Sequence, residues 1–327
     1  MDKILISGYT GFIGTNLTKR LKRVNLNGVD IQKNNSVQRH YSWEEMGECL
    51  DYQCIIHLAG KAHDTENTTS EKEYFDINLG LTQIIFQHFL KSTASKFIFF
   101  SSVKAVTDSI VDHHLTEETL PNPKSIYGRS KLEAEKYILC ELEKWKDKES
   151  ANGNHCDWKK VYILRPCMIH GPGNKGNLNL LFKLQKKGLP WPLGAFENRR
   201  SFCSIENILF VIQQMITSDI EPGTYNVADD ESISTNQLVQ LIANSLNKKV
   251  RIWRIPRNIV KLLVRIAGML RLPINREKLK KLTESYIVSN QKLKDVLGIK
   301  NMPCTALEGM KLTIVSFIEE RENTVTK

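Results

Sequence analysis

The chain has 327 residues, a formal net charge of +10 and 41% hydrophobic residues. That length can bury a large core and suits one broad α/β unit with a smaller lobe. No apolar run is long enough to span a bilayer and no signal peptide precedes the first strand, so a cytoplasmic protein is expected.

Lys3-Ile4-Leu5-Ile6-Ser7 reads as a buried strand, followed at once by Gly8-Tyr9-Thr10-Gly11-Phe12-Ile13-Gly14 and by helical spacing over Asn16–Leu21. Strand, glycine turn, helix is the setting in which backbone N–H groups cradle a dinucleotide pyrophosphate. The next strand, Leu26–Ile31, sets Asp30 about 20 residues beyond the turn, where a carboxylate accepts from a ribose diol and repels a 2′-phosphate. NAD is favoured over NADP, although Lys33 lies close by and leaves NADP open.

Further strands are expected near Val37–Tyr41 and over Cys54–Ala59, Lys96–Ser101 and Val161–Arg165, with helices around Leu81–Leu90 and Ser130–Trp145. Such alternation implies a parallel sheet covered on both faces, with ligands beyond the carboxyl ends of its strands. Tyr127 and Lys131 stand four residues apart, hence on one helix face one turn apart. An ammonium so placed is expected to lower the phenol's pKa and make Tyr127 a proton-transfer group. The polar stretch Lys146–Asp157, with Asn152-Gly153-Asn154, reads as an exposed loop. Beyond Arg165-Pro166 the pattern is irregular, with turns at Gly171-Pro172-Gly173 and Gly188–Pro192, until a last helical stretch at Ala306–Glu320.

These segments together resemble the extended short-chain dehydrogenase/reductases, in particular the NAD-dependent nucleotide-sugar epimerases and dehydratases typified by UDP-glucose 4-epimerase. Gly8, Gly11 and Gly14 fit the family's glycine turn, Asp30 its ribose acid, and His57-Leu58-Ala59-Gly60 its fourth-strand motif. Asn78 fits its structural asparagine, Ser101-Ser102 its serine strand end, Tyr127 and Lys131 its catalytic pair, and Arg165-Pro166 with His170–Gly173 its segment beyond the sixth strand. The resemblance implies a Rossmann-type doubly wound parallel sheet with a smaller, discontinuous C-terminal substrate lobe. Residues 1–170 would bind NAD, with 199–229 returning to that domain, and 171–198 and 230–327 would form the lobe. It implies cofactor contacts from Gly8, Gly11, Phe12, Ile13, Gly14, Asp30, Ile31, Leu58, Ala59, Gly60, Asn78, Tyr127, Lys131 and Pro166. The implied catalytic set is Ser102, Tyr127 and Lys131, with Ser101 the other candidate for the hydroxyl. Substrate contacts would come from Lys104, Asn177, Leu178 and Arg200, whose guanidinium can fork onto diphosphate oxygens.

Where the family's 4,6-dehydratases carry an Asp-Glu pair, this chain has Val103-Lys104-Ala105, which argues against water loss. A Ser-Ser-Val-Lys run resembles the subgroup of UDP-N-acetylhexosamine 4-epimerases and 4-keto-6-deoxyhexosamine reductases. The expected function is an NAD-dependent 4-epimerase acting through a 4-keto intermediate on an N-acetylhexosamine carried as a UDP-sugar or polyprenyl-diphosphate sugar, in surface polysaccharide or glycan precursor synthesis. The alternatives are an NAD(P)H-dependent 4-keto-6-deoxy nucleotide-sugar reductase and a dinucleotide-binding regulatory protein without chemistry. Family members are often dimers through a helix pair, here including Ser130–Trp145, so a homodimer is expected.

The charge is concentrated between Lys248 and Lys281, where twelve Lys and Arg face only Glu277. Arg257, Lys261 and Arg265 share one stripe of a strongly apolar helical segment. That pattern is either a solvated basic edge or a surface that docks on anionic lipid at the inner membrane face or accepts a substrate carrying a lipid diphosphate. No nucleic-acid motif accompanies it. The seven cysteines are scattered without metal-type spacing, and His113-His114 beside Asp112 lacks further ligands, so no metal is expected.

Overall fold

The computed structural model describes residues 3–21, 25–48, 50–61, 70–109, 114–153, 158–174, 178–269 and 276–325. The strands are β1 (Lys3–Ser7), β2 (Asn25–Val29), β3 (Arg39–Tyr41), β4 (Cys54–His57), β5 (Lys96–Phe100), β6 (Lys160–Pro166), β7 (Met168–His170), β8 (Arg200–Ser204), β9 (Gly223–Val227) and β10 (Ser232–Ile233). The helices are α1 (Phe12–Arg20), α2 (Glu71–Phe75), α3 (Leu81–Lys91), α4 (Ile126–Ala151), α5 (Leu178–Lys186), α6 (Ile205–Thr217), α7 (Thr235–Ser245), α8 (Arg257–Met269), α9 (Arg276–Thr283), α10 (Gln291–Leu297) and α11 (Ala306–Val325). Seven strands form one parallel sheet in the order β3-β2-β1-β4-β5-β6-β9, and β10-β8-β7 form a small second sheet.

The apolar runs become central strands because both of their faces are covered. Successive side chains point to opposite faces of a strand. Ile4, Ile6, Ile56, Ile98, Phe100, Tyr162 and Leu164 therefore enter one buried cluster, which α6 completes with Ile208 and Ile212. Leu5, Ile55, Phe97, Phe99, Val161 and Ile163 enter another, completed by Phe86 and Phe89 of α3 and Ile138 of α4. Strand order runs outward from β1 in both directions, so the crevice opens beyond the carboxyl ends of β1 and β4. This is the doubly wound parallel sheet that the alternation of elements led us to expect.

Two expected boundaries are corrected. The helix expected over Ser130–Trp145 is α4, which starts at Ile126 behind the N-cap Ser125, whose side chain accepts from the Gly128 N–H at 3.1 Å. It runs on through Ala151, so the first half of the stretch expected as a loop, from Lys146, is helical, and residues 154–157 lie outside the described segments. Lys, Glu and Ala residues continue a helix readily, and the stop comes only where Gly153 takes φ +76°. α5, α6 and α7 fill the region whose pattern looked irregular; α5 buries Leu178 and Phe182 on one face and α7 buries Leu238, Val239, Ile242 and Ala243.

Candidate active site

The glycine turn is tight for a steric reason. Gly8 has φ +71°, and a Cβ there would sit 2.5 Å from the Ala59 backbone nitrogen. A Cβ on Gly14 would sit 2.5 Å from the Gly8 carbonyl oxygen, so α1 can start this close to β1 only without side chains. The result is a bare backbone concavity that fits a dinucleotide pyrophosphate. Beside it the Asp30 carboxylate accepts from the Thr10 hydroxyl at 2.6 Å, the Thr10 N–H at 3.1 Å and the Ile31 N–H at 2.7 Å. These bonds fix Asp30 at the end of β2, while Ile31 is 87% exposed and offers an uncovered apolar surface next to it. Leu58 and Ala59 back the turn, Phe12 and Ile13 are partly buried against the core, and Pro166 is buried at the end of β6.

A buried chain of hydrogen bonds leads from this turn toward α4. The Ser7 hydroxyl donates to His57 Nδ1 at 2.6 Å, His57 Nε2 donates to Thr82 at 2.9 Å, and Thr82 donates to the Asn78 carbonyl at 2.7 Å. Burial and the Lys131 charge hold the His57 imidazole well below its ordinary pKa, so it is neutral and fits these single donor and acceptor roles. Asn78 stands in a wide turn, Asp76–Gly80, that joins α2 to α3. Its side chain accepts from the Lys61 N–H at 2.8 Å and donates to the Ser130 hydroxyl at 3.0 Å, so it bridges β4's loop to α4. Gly60 leaves room for this, because a Cβ there would lie 2.9 Å from Asn78 Oδ1 and 3.0 Å from Lys131 Nζ.

Tyr127, Lys131 and Ser102 come together at the carboxyl end of β5. Lys131 is 5% exposed and donates from Nζ to the Phe100 carbonyl at 2.9 Å, with the Phe99 ring centred 5.0 Å away. Burial pushes its pKa down to about 8 against a rise from Glu135. The Tyr127 phenol is raised rather than lowered, which corrects the expectation from spacing alone. Its burial outweighs a hydrogen bond with the Ser102 side chain that acts the other way, and Tyr74 raises it further. The Tyr74 ring meets Tyr127 edge-on at 6.2 Å between centroids.

The structure separates the two serines. Ser101 donates to Glu135, a buried carboxylate that also receives Arg165 Nε at 2.9 Å and Nη2 at 2.5 Å. Ser102 instead accepts from the Lys104 N–H at 3.2 Å and meets Tyr127. Glu135, which sequence reasoning missed, was signalled by the spacing Tyr127, Lys131, Glu135, three residues on one helical stripe. Tyr74 was missed as well.

The expected substrate contacts are only partly gathered. Lys104 Nζ donates to the Asp108 carbonyl at 2.7 Å and lies 4.8 Å over the Tyr286 ring. Arg200, partly buried while Arg199 is exposed, has its pKa lowered by burial against the pull of Glu284 and Tyr286. Both cations thus border Tyr286, which donates to the Thr107 carbonyl at 2.8 Å and ties β8's surroundings to the loop after β5. Leu178 is buried with Phe182 and Phe202, so only its backbone at the start of α5 is available to a ligand. Asn177 lies outside the described residues, as does His113. Among the described residues no group of three or more His, Cys, Asp or Glu side chains could hold a metal ion.

The family described as "NAD dependent epimerase/dehydratase family" matches residues 4–228. A UDP-glucose 4-epimerase of Vibrio cholerae is 29% identical over 97% of this chain and 95% of its own. An N-acetyl-alpha-D-glucosaminyl-diphospho-ditrans,octacis-undecaprenol 4-epimerase of Escherichia coli O157:H7 is 28% identical over 78% of this chain and 76% of its own. Among solved structures, a UDP-glucose 4-epimerase from Thermotoga maritima with UDP-glucose superimposes with a TM-score of 0.72 at 21% identity, covering 98% of this chain and 99% of that one.

Proposed function

We propose that this chain, which belongs to the NAD dependent epimerase/dehydratase family, inverts C4 of a diphosphate-linked N-acetylhexosamine carried on a nucleotide or a polyprenol. The observation that carries the reading is the meeting of the Ser102 and Tyr127 side chains beside a Lys131 anchored to Phe100. In our reading Tyr127, as phenolate, takes the proton of the sugar's 4-hydroxyl, and the Ser102 hydroxyl donates to the forming carbonyl oxygen. Ser102 also lowers the cost of the phenolate that burial raises. Lys131 and Asp30 would hold ribose hydroxyls of NAD, and the bare backbone around Gly8, Gly11 and Gly14 would receive its pyrophosphate. NAD, when bound, supplies an acceptor for the C4 hydrogen that also returns it. The 4-keto sugar turns over before that return, and Tyr127 gives its proton back, so cofactor is not consumed.

Residues 171–198 and 230–327 form the substrate lobe in this reading, with Arg200 and Lys104 placed for the diphosphate. Support comes from the diphosphate-linked substrates in the two relatives' names and from the absence of an Asp-Glu pair at Val103-Lys104-Ala105. UDP-N-acetylglucosamine incubated with a trace of NAD⁺ should yield the anomeric proton signal of UDP-N-acetylgalactosamine without net NADH. If neither this compound nor its polyprenyl-diphosphate counterpart is converted, while a 4-keto sugar consumes NAD(P)H stoichiometrically, the enzyme is a reductase and this reading fails.

The serine assignment has its own test. Ser102→Ala should lower kcat by roughly 10²-fold to 10³-fold, as for removal of one donor to a developing oxyanion. Ser101→Ala should leave kcat within a few-fold and act on stability by about 1 kcal/mol. Equal losses in kcat would overturn the assignment.

A further inference from the structure

We infer that α8 is a peripheral membrane contact that lays an apolar stripe with a cationic border onto an anionic bilayer surface. Only Val260 and Val264 of the described α8 side chains turn inward, packing with Phe196 and Leu279. Ile259, Leu262, Leu263 and Ile266 are 48%, 55%, 54% and 45% exposed. Their spacing of i, i+3, i+4 and i+7 makes one continuous face. Trp253, 57% exposed, stands just before the helix, in a segment fixed by its N–H donating to the Trp191 carbonyl at 2.8 Å. Aromatic rings of this kind sit at the level of lipid headgroups. Four large aliphatic side chains left in water on one helix face are a cost that a monomeric protein keeps only where something covers them.

Charge selects the occupant. Lys261 and Arg265 are exposed one turn apart alongside the stripe, and Arg251 and Arg254 are exposed near Trp253. From Lys248 to Lys281 twelve cations stand against one acid, and the remainder of the chain is close to neutral. A protein interface is depleted of charge at its core, whereas an anionic leaflet attracts each surface cation by about 1 kcal/mol. Long basic side chains can also keep their stems along the apolar stripe while their heads reach phosphates. α8 has 13 residues, roughly 20 Å in length, too short for a hydrocarbon core of about 30 Å. No helix of the described residues is long and apolar enough to cross a membrane, so α8 lies in the plane of the surface. The contact is joined to the candidate site. Phe196, beneath α8, leads directly to Arg200, and α9, packed on α8, ends just before Glu284 and Tyr286.

This contact is a property of the surface and does not rest on which sugar the enzyme turns over. The full-length protein is expected to float with phosphatidylglycerol/phosphatidylcholine vesicles at low salt, and far less with phosphatidylcholine alone. Leu262→Ser with Leu263→Ser should weaken that partitioning by roughly tenfold or more. Lys261→Glu with Arg265→Glu should remove the preference for anionic vesicles, and both pairs should keep the wild-type melting temperature because they lie on the solvent side. Failure of the wild-type protein to float with anionic vesicles overturns the inference. So does unchanged flotation of the leucine variant, or a wild-type dimer in sedimentation equilibrium that the leucine variant converts to monomer without any vesicle binding.

Discussion

Tyr127→Phe is expected to lower kcat by on the order of 10³-fold or more while leaving bound NAD in place. In the proposed reading the phenol oxygen beside Ser102 exchanges the proton with the substrate, and phenylalanine removes it without opening space in the packing against Tyr74. In the proposed reading the dinucleotide rests on other groups, the backbone around Gly8 and the carboxylate of Asp30, which the substitution does not touch. Turnover followed by NMR of the sugar's anomeric proton gives the first quantity. Ultraviolet absorbance of cofactor released on denaturation gives the second. A loss below tenfold would take the proton transfer away from Tyr127, and loss of NAD together with activity would make its role structural.

Glu135→Ala should cost about 3–5 kcal/mol of unfolding free energy, the largest stability effect expected of any substitution near the site. The Glu135 carboxylate is 3% exposed and receives two nitrogens of Arg165 and the hydroxyl of Ser101. Alanine leaves the guanidinium buried without a counter-charge and the serine without an acceptor. A double variant, Glu135→Leu with Arg165→Met, removes both charges and should recover most of the loss, because apolar packing often replaces such a pair at little cost. Urea midpoints of the three proteins check this. A single variant as stable as wild type, or a double variant worse than the single, would mean that the pair is not what supports the end of β6. Ser102 should keep its orientation only where the pair is intact, so kcat in Glu135→Ala is expected to fall alongside stability.

The elements that could be read directly were those whose signal is contiguous. Ile4-Leu5-Ile6 needs cover on both faces, and Gly8, Gly11 and Gly14 leave out side chains where backbone meets backbone, so strand, turn and helix are each announced within a few residues. Asp30 and the pair Tyr127/Lys131 follow from spacing along a single strand end and a single helix. Spacing misled on the phenol's pKa, because the environment of Tyr127 is made by neighbours distant in sequence. Lys131 turns its ammonium to Phe100, and Tyr74 raises the phenol further through its charge rather than by desolvation. The stretch from Lys146 looked like loop because charge and turn residues coincide there, yet helix continues until Gly153 stops it.

Local order in the chain thus determined the parallel sheet, the glycine turn and the Tyr127/Lys131 pair, since each depends on a pattern that fits within one element or one turn. Contacts between distant segments decided the rest. The bond between Ser101 and Glu135 spans 34 positions, and it is what leaves Ser102 for Tyr127. Lys104 and Arg200 gather around Tyr286 only because the chain after α9 crosses back over the loop that follows β5. The stripe on α8 is apolar in sequence, but whether it is core or surface depends on which neighbours the fold supplies. Val260 and Val264 are given Phe196 and Leu279, and Leu262 and Leu263 are left facing water. Periodicity records that a face is apolar, and only the packing of the whole chain records what covers it.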